Sequence, residues 1–172
     1  MSARIAALAL AACLGACATP RPTPLPELAG VPAAFEMTGR LALRSADRSD
    51  IAKLRWTHRP GADLWIVASP LGNEVARIES DANGAVLSQA GGERQQASSF
   101  AALTERILGV PLDPAQLAQW LHGAAPEAAS GWTVTIEERQ RAGAVDMARR
   151  MSARRGETTV RLVVDEYRPI AE

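Results

Sequence analysis

The sequence predicts a mainly β domain, a curved antiparallel sheet or incomplete barrel that is covered by a few helices. Three observations predict this fold class. Between residues 35 and 89, apolar and polar residues alternate in short runs separated by turn residues, which is typical of antiparallel strands. Two amphipathic runs with helical spacing follow, between residues 99 and 123. Three more alternating runs lie after residue 131. At 172 residues, the chain has the length of one domain.

The N-terminal residues differ from this body in composition. A short positive segment precedes the apolar run Ile5 to Ala12, as in a secretory signal, and this run is too short to span a bilayer. Five prolines then lie between residues 20 and 32, which favours an extended path. We therefore expect three regions: a signal peptide over 1–16, a segment with Cys17 and the Pro-rich tether over 17–33, and the folded domain over 34–172.

Two cysteines, Cys13 and Cys17, lie in the N-terminal region. Leu14-Gly15-Ala16-Cys17 resembles the lipobox of bacterial lipoproteins, whose Cys becomes the acylated N-terminus, and Leu10-Ala11-Ala12-Cys13 fits the same pattern. We favour Cys17 because cleavage before Cys13 leaves a shorter apolar segment. Acyl chains contribute about 0.8 kcal/mol per buried methylene, so three chains anchor a protein without a spanning helix. Ala18 in place of Asp after this Cys is typical of outer-membrane sorting.

The alternating runs of the first half predict five strands in sequence. In the first, Phe35, Met37, Gly39, Leu41 and Leu43 share one face. Short links between consecutive strands favour an antiparallel meander, and Asp81-Ala82-Asn83-Gly84 is a hairpin turn signal. The five predicted strands are 35–44, 52–59, 64–69, 74–79 and 85–89.

Two short helices are predicted after the meander. Ser98-Ser99 is an N-cap signal for the first, which Gly109 ends. Asp113-Pro114 begins the second with an N-cap and a Pro at the first helical position, and Gly123 ends it. Their apolar stripes are expected to cover the apolar face of the sheet.

Three strands are predicted after the helices. They are 132–137, 145–151 and 158–165, and the assignment of 145–151 is ambiguous.

The turn Ser69-Pro70-Leu71-Gly72 carries a large aliphatic side chain where turns usually present polar ones. One interpretation is that Leu71 folds back onto the core. The other is that it contacts something apolar outside the domain, such as a membrane or a lipid-bearing partner.

The sequence does not predict catalysis. His58 and His122 have no His, Cys or carboxylate at metal-ligand spacing, and no Gly-rich phosphate loop or nucleophile elbow is present. We expect no enzyme activity, no cofactor and no metal. A net charge of zero argues against a nucleic-acid partner. The strand-end acids Glu137-Glu138 and Asp165-Glu166 are interpreted as solvated turn positions.

An Arg-rich stretch, residues 139–155, has six arginines against the single acid Asp146. It predicts a solvated hairpin. The functional alternative is a basic rim that meets an acidic partner or anionic lipid headgroups.

Several motifs, taken together and in order, resemble the LolB family of outer-membrane lipoprotein receptors. They follow the lipobox and are Gly39-Arg40-Leu41-Ala42-Leu43, Trp56, Ser69-Pro70-Leu71-Gly72, Leu108-Gly109-Val110-Pro111-Leu112 and Leu117-Ala118-Gln119-Trp120-Leu121-His122-Gly123. Tyr167 departs from the pattern, since the family tends to have Trp near the C-terminus. The stretch 139–155 also matches poorly, so the order of the late strands stays open.

The resemblance implies a half-open antiparallel β-barrel with a helical lid around an apolar cavity for acyl chains. Patterning alone also allows a solid core on the same residues. The resemblance further implies that the turn Pro70, Leu71 and Gly72 protrudes and acts in membrane insertion and release. The residues expected to line the cavity are Leu41, Leu54, Trp56, Trp65, Phe100, Leu103, Leu117 and Trp120.

The function implied by the resemblance is that of a receptor without enzyme activity. It would accept acylated lipoproteins from the soluble periplasmic carrier, LolA, and insert them into the lipid of the outer membrane. We expect a monomer, anchored by lipid to the outer membrane and facing the periplasm. The alternative is a structural or assembly lipoprotein that binds a protein partner. A lipid-modifying enzyme is disfavoured because a nucleophile and base are missing.

Overall fold

The computed structural model describes residues 31–170, which form one nine-stranded antiparallel sheet and two α-helices. The signal peptide, both cysteines and all but the last residues of the tether lie outside the described residues. The strands are β1 (Phe35–Arg44), β2 (Ser49–Arg59), β3 (Ala62–Ala68), β4 (Glu74–Asp81), β5 (Gly84–Gln89), β6 (Arg94–Ala97), β7 (Thr133–Ala142), β8 (Val145–Arg155) and β9 (Thr158–Pro169). The helices are α1 (Phe100–Leu108) and α2 (Pro114–Leu121), and a short 3₁₀ turn spans Ala128–Ser130.

The sheet has the strand order β6-β5-β4-β3-β2-β1-β9-β8-β7. Among the described strands, the two edges β6 and β7 do not pair with each other, so the sheet stays open. The predicted fold class, mainly β with an incompletely closed antiparallel barrel, is confirmed. The first six strands follow one another as a meander, and β9 then returns to pair with β1.

The predicted strands differ from the observed ones in two ways. The prediction of five strands in the first half misses β6, because three of its four residues, Arg94–Ala97, are polar and show no apolar alternation. The last three strands are longer than predicted, and the ambiguous run 145–151 is part of the eleven-residue strand β8. In these three strands the apolar residues near the centre allow the strand to be predicted. The polar residues at the ends also pair with neighbouring strands, although their sequence does not indicate it.

The concave face of the sheet carries the core. Met37 and Leu43 of β1, and Leu54 and Trp56 of β2, are buried, as the period-two pattern predicts. Gly39 lies beside a bulge in the pairing of β1 with β9, where a Cβ atom would stand 2.1 Å from the carbonyl oxygen of Val163. The glycine therefore permits a backbone approach that no other residue allows.

The two helices begin and end at the predicted signals. Ser99 accepts a hydrogen bond from the amide of Ala102 at 3.1 Å, and Gly109 ends α1 with a φ of 75°. Asp113 accepts one from the amide of Ala115 at 2.8 Å, with Pro114 at the first helical position of α2. Both helices bury their apolar stripe against the concave face of the sheet.

The two ends of the barrel differ. At one end, the ring of Phe35 lies 4.9 to 5.6 Å, between centroids, from four other rings. We call this the aromatic end; its members are Phe35, Trp56, His58, His122 and Tyr167. The register of β1 with β2 places the turn 45–48 at the opposite end, and the turn 69–73 between β3 and β4 lies there too. We call this opposite end the mouth end.

Candidate functional site

An apolar cavity of about 490 Å³ opens at the mouth end. This volume lies in the range of small-molecule sites, about 300–1,000 Å³. The wall comes from β1 to β5, β9, α1 and the loop after α1, and it is mainly aliphatic. The apolar wall residues include Leu41, Leu43, Trp65, Val67, Ile78, Leu87, Ile107, Leu108, Leu112 and Val160.

The mouth of this cavity lies between two β-turns and the C-terminal end of α1. Arg48, in the turn between β1 and β2, donates a hydrogen bond from Nη1 to the carbonyl oxygen of Ile107 at 3.2 Å. The same guanidinium forms an ion pair with Asp50. Arg48 therefore connects the sheet to the last turn of the covering helix at the edge of the opening.

Leu71 stands at the apex of the second turn. The amide of Gly72 donates to the carbonyl of Ser69 at 2.8 Å, which closes a β-turn with Pro70 and Leu71 at its two central positions. Gly72 has a φ of 97°, a conformation that glycine adopts without strain. The Leu71 side chain is 90% exposed. The interpretation that it folds back onto the core is therefore wrong.

Two further apolar side chains are exposed at the mouth. Ile51, near the start of β2, is 65% exposed and Val75, near the start of β4, is 41% exposed, and both line the cavity. Within residues 31–170, the large hydrophobic residues found exposed are Ile51, Leu71 and Val75. We call these three residues the mouth rim. Ile51 and Val75 are not among the residues predicted from the sequence. Each is an apolar residue near the start of a strand, at a position where the alternation of that strand predicts an exposed side chain.

Two residues of the cavity wall carry buried polar atoms without hydrogen-bond partners. Among the described residues, the buried side-chain polar atoms that lack a hydrogen-bond partner are Nε1 of Trp65 and Oγ of Ser69, and both residues line the cavity. The hydroxyl of Thr104, also on the wall, is partnered: it accepts from the amide of Leu112 at 2.8 Å. Each unpartnered buried polar group costs about 1–3 kcal/mol of folding free energy.

The residues predicted to line an acyl cavity divide into three groups. Leu41 and Trp65 line the open cavity, and Pro70 lies at its edge. Leu54, Trp56 and Leu117, together with Leu41 and Trp65, surround a small void of about 10 Å³ deeper in the barrel. Phe100, Leu103 and Trp120 are buried in the core, and none of them is among the described residues that line the open cavity.

This division shows that the concave face is partly solid core and partly open. The ring of Trp120 packs on Trp132 with centroids 5.8 Å apart, which places it between α2 and the start of β7. The ring of Phe100 packs edge-on against Trp65 at 4.9 Å. Both alternatives left open by the pattern therefore apply: Phe100 and Trp120 are packed in solid core, whereas Leu41 and Trp65 line open space. Contact of the deep residues with an acyl chain stays a prediction.

The two histidines belong to the aromatic end. Nδ1 of His58 lies 2.7 Å from Oδ1 of Asp63, which also accepts a hydrogen bond from Nε1 of Trp56 at 2.7 Å. His122 contacts the carbonyl oxygen of Ala118, and burial lowers the pKa of its imidazole below the usual 6.5. Among residues 31–170, no group of three or more His, Cys, Asp and Glu side chains is placed to hold a metal ion.

The Arg-rich stretch lies in the β7–β8 hairpin, whose arginines face solvent while Met147 and Met151 of β8 are buried in the core. Arg141 forms two hydrogen bonds with Asp146 at 3.0 and 3.1 Å and thereby lowers the pKa of that carboxyl. Arg149 and Arg150 lie 3.1 and 3.6 Å from the carboxylate of Glu138. These pairs match the predicted solvated hairpin on its charged face, whereas the opposite face of β8 is part of the core.

The prediction that these four acids lie in turns is wrong. Glu137 and Glu138 lie within β7, and Asp165 and Glu166 lie within β9. Arginines of other strands explain this: Glu137 pairs with Arg161 of β9, which lies across β8, and Asp165 pairs with Arg40 of the neighbouring strand β1 at 3.0 Å.

The comparisons with known proteins agree with this geometry. The family model "Outer membrane lipoprotein LolB" matches residues 33–167. The chain belongs to the LolB family. It is 32% identical over 184 residues to the outer-membrane lipoprotein LolB of Azoarcus sp. (strain BH72), covering 95% of this chain and 94% of that protein. It is 36% identical over 126 residues to that of Chromobacterium violaceum, covering 72% and 69% of the two chains.

Solved structures support the fold of this LolB-family chain. A LolA superfamily protein from Nitrosomonas europaea superposes with a TM-score of 0.53 at 6% identity, over 81% of this chain and 87% of that one. A DUF1329 family protein from Desulfovibrio piger superposes with a TM-score of 0.53 at 8% identity, over 80% and 86%. At such identities the likeness concerns the fold alone.

The family assignment confirms the resemblance seen in the sequence and the function it implied, an outer-membrane lipoprotein receptor. It also confirms the localisation: the protein is a lipid-anchored protein of the outer membrane that faces the periplasm. No helix within residues 31–170 is long and apolar enough to cross a membrane.

Proposed function

We propose that the protein takes the acyl chains of a lipoprotein from a LolA-like periplasmic carrier into its cavity and passes them to the outer membrane through the mouth. One observation carries the proposal. The apolar cavity opens at the end of the barrel where Leu71 is exposed on a rigid turn. An acyl chain that leaves the cavity through the mouth would therefore enter the same apolar environment that Leu71 contacts, which we propose is the outer membrane.

The chemistry of the cavity suits hydrocarbon chains. Its wall is mainly aliphatic, and transfer of apolar surface from water is favourable by about 25 cal/mol per Å². The step needs no covalent chemistry, because an acyl chain moves between apolar environments. We therefore propose a carrier-receptor that works without a catalytic group, a nucleotide or a metal, and as a monomer.

The mouth rim supports the membrane contact. Burial of one Leu side chain in a bilayer contributes about 1.5–3 kcal/mol, too little to anchor a protein. Ile51 and Val75 stand at the same opening and extend the apolar surface around it. Together with Leu71, they would orient the mouth toward the bilayer once the lipid anchor holds the protein nearby.

A two-step assay tests this function. The purified protein is first mixed with a radiolabelled lipoprotein bound to the LolA-like carrier, and acceptance is measured as a stoichiometric complex. Liposomes are then added, and insertion is measured by flotation. We expect both steps in the wild type. Failure of acceptance together with stable capture of a non-acylated partner protein would instead favour the structural or assembly lipoprotein.

A further inference from the structure

A shallow groove of about 550 Å³ lies on the outer, convex face of the sheet, beside the turn that presents Leu71. We call it the convex groove. Its wall comes from β1 to β4 and β9, and it reaches Gly72 of that turn. Ile66 of β3 lines the convex groove, whereas its neighbours Trp65 and Val67 line the cavity. The groove and the cavity therefore lie on opposite faces of a strand that ends at the mouth.

Four cationic side chains line the convex groove, and they are Arg40, Lys53, Arg55 and Arg77. In the register of the sheet, Arg55 and Arg77 are the partners of Ile66 on its two sides. Neighbouring strands lie about 4.8 Å apart, so the Cα atoms of these two arginines are about 10 Å apart. Long side chains at this spacing can contact one phosphate group above Ile66.

Two carboxylates also line the convex groove, and each is paired with an arginine. Oδ1 of Asp165 lies 3.0 Å from Nη2 of Arg40, and Oε1 of Glu74 lies 3.1 Å from Nε of Arg77. The two cations of β2 are exposed and form no ion pair within residues 31–170. The groove therefore has an excess of two positive charges, although the net charge of the whole chain is zero. Such a local excess favours an anionic partner.

The convex groove lies at the height of lipid headgroups when Leu71 enters a bilayer. Lys53 pairs with Ala68, and Leu71 follows three residues later, a span of at most about 11 Å. A bilayer is about 40–45 Å thick around a hydrocarbon core of about 30 Å, which leaves about 5–8 Å of headgroups on each side. Leu71 at the edge of the hydrocarbon therefore places these cations among the phosphates.

We propose that the convex groove binds the headgroups of anionic phospholipids while the mouth rim contacts the hydrocarbon. The phosphate of any phospholipid can accept hydrogen bonds from these side chains, but two uncompensated positive charges favour a lipid with a net negative charge. This contact would hold the mouth against the membrane during release. The inference rests on the proposed function and names the class of lipid that the mouth meets.

Flotation with two kinds of liposome tests the proposal. One kind is phosphatidylcholine alone, and the other is phosphatidylcholine mixed with phosphatidylglycerol. The protein is the full chain with Cys13→Ala and Cys17→Ala, which prevents lipidation; its N-terminal residues are the same in every variant, so their contribution cancels in the comparison. We expect tighter binding to the mixed liposomes, and we expect salt to weaken that preference.

The variants separate the groove from the net charge of the protein. Lys53→Gln with Arg55→Gln should lower the affinity for mixed liposomes about 5-fold for each charge removed, and should leave binding to phosphatidylcholine unchanged. Lys53→Arg with Arg55→Lys should keep the preference. The matched control is Arg59→Gln with Arg141→Gln, which removes the same charge from exposed positions at the aromatic end.

Three results would overturn the proposal. They are equal affinity of the parent protein for both liposomes, an equal loss in the groove variant and the control, and normal flotation of the groove variant with lost acceptance from the carrier. The last result would make the groove a carrier interface. Thermal melts show that the compared proteins are folded.

Failure of the proposed function is read separately, in the two-step transfer assay with the wild type. Insertion of lipoprotein into liposomes of either composition, without a preference for phosphatidylglycerol in flotation, would refute the headgroup site alone. Absence of transfer at both compositions would refute the proposed function.

Discussion

The Nε2 atom of His122 lies 2.8 Å from the hydroxyl oxygen of Tyr167 and joins the end of α2 to β9. Nδ1 of the same ring lies 2.6 Å from the carbonyl oxygen of Ala118. A neutral ring that donates from Nδ1 to this carbonyl accepts the Tyr167 proton at Nε2, so one tautomer satisfies both contacts. Burial raises the pKa of Tyr167, which keeps its hydroxyl protonated as a donor. The pair fixes α2 at the aromatic end, away from the mouth.

Stability should therefore decrease in mild acid. The pKa of His122 is lowered in the folded state, mainly by burial, so the unfolded chain binds the proton more readily. The stabilisation by the neutral ring is complete above the unfolded pKa, about 6.5, and is lost as the pH falls toward the folded pKa. Urea melts from about pH 7.5 to 5 should show this slope in the wild type and a smaller one in His122→Gln. Equal slopes in the two proteins would contradict the assignment.

The two neighbouring tryptophans should differ in their tolerance of Phe. Nε1 of Trp56 donates to Asp63, whereas Nε1 of Trp65 has no partner among the described residues. Both changes remove the same ring volume, but only Trp56→Phe loses a hydrogen bond to a carboxylate. We expect it to lower the free energy of unfolding by about 1.5–3 kcal/mol more than Trp65→Phe. Denaturant melts of the two variants measure the difference, and an equal cost would show that the Trp56 bond contributes nothing.

Gly39 should not tolerate a side chain. A Cβ atom there meets the carbonyl oxygen of Val163 at 2.1 Å, so β1 and β9 must separate. Overpacking of this kind costs about 1–3 kcal/mol, and we expect Gly39→Ala to lie at or above the upper limit. Gly91→Ala is the matched control, since a Cβ atom at that position would meet nothing within 4 Å and Gly91 has no positive φ. Equal melting temperatures of Gly39→Ala and Gly91→Ala would refute the close approach of the Val163 carbonyl oxygen to Gly39.

Leu71 is expected to act at release. Leu71→Glu places a charge where the turn meets the bilayer, which is costly without a partner. Because the side chain is 90% exposed, folding and acceptance of lipoprotein should be unchanged while insertion into liposomes fails. Ala82→Glu, an exposed turn position at the other end of β4, adds the same charge as a control. Normal insertion by Leu71→Glu would remove the membrane role, and failure at acceptance would place Leu71 in the cargo or carrier interface.

The length of the tether should limit delivery. The described chain enters β1 at the aromatic end, and ten residues of strand separate that end from the mouth by about 33 Å. The thirteen residues between Cys17 and Val31 reach at most about 40 Å at 3.1 Å each. Deleting residues 20–29 leaves three, a reach of about 9 Å, too short for the mouth to contact the membrane that holds the anchor.

The lipidated deletion variant should therefore accept lipoprotein but not insert it into the membrane that carries it. Replacing residues 20–29 by ten Gly and Ser residues restores the length and should restore insertion. Mass spectrometry of the mature N-terminal peptide checks the anchor in each protein; a lipidated peptide that begins at Cys13 would overturn the choice of Cys17. Full insertion by the shortened protein would show that delivery does not depend on the length of the tether.

Local signals explain which elements were predicted from the sequence. Ser99, Gly109 and Asp113-Pro114 mark the helix ends through hydrogen bonds between residues a few positions apart. Such a motif lies entirely within a short segment, so it can be recognised from the sequence alone. The alternation in β1 and β2 identifies their buried faces for the same reason. In β6, by contrast, the strand exists because β5 supplies its partner, and three polar residues followed by Ala97 give no sign of it.

The sequence by itself determined the fold class, the ends of both helices and the family, because these depend on residue order and local spacing. Only the tertiary structure decided which apolar residues meet open space. Leu41 and Trp65 line the cavity while Phe100 and Trp120 are packed in the core, although all four have the same apolar character in the sequence. Whether a residue lines a cavity or lies in the core depends on whether the side chains of facing elements fill the space between those elements. That depends on the distance between strands and helices, which cannot be read from any single segment of the sequence.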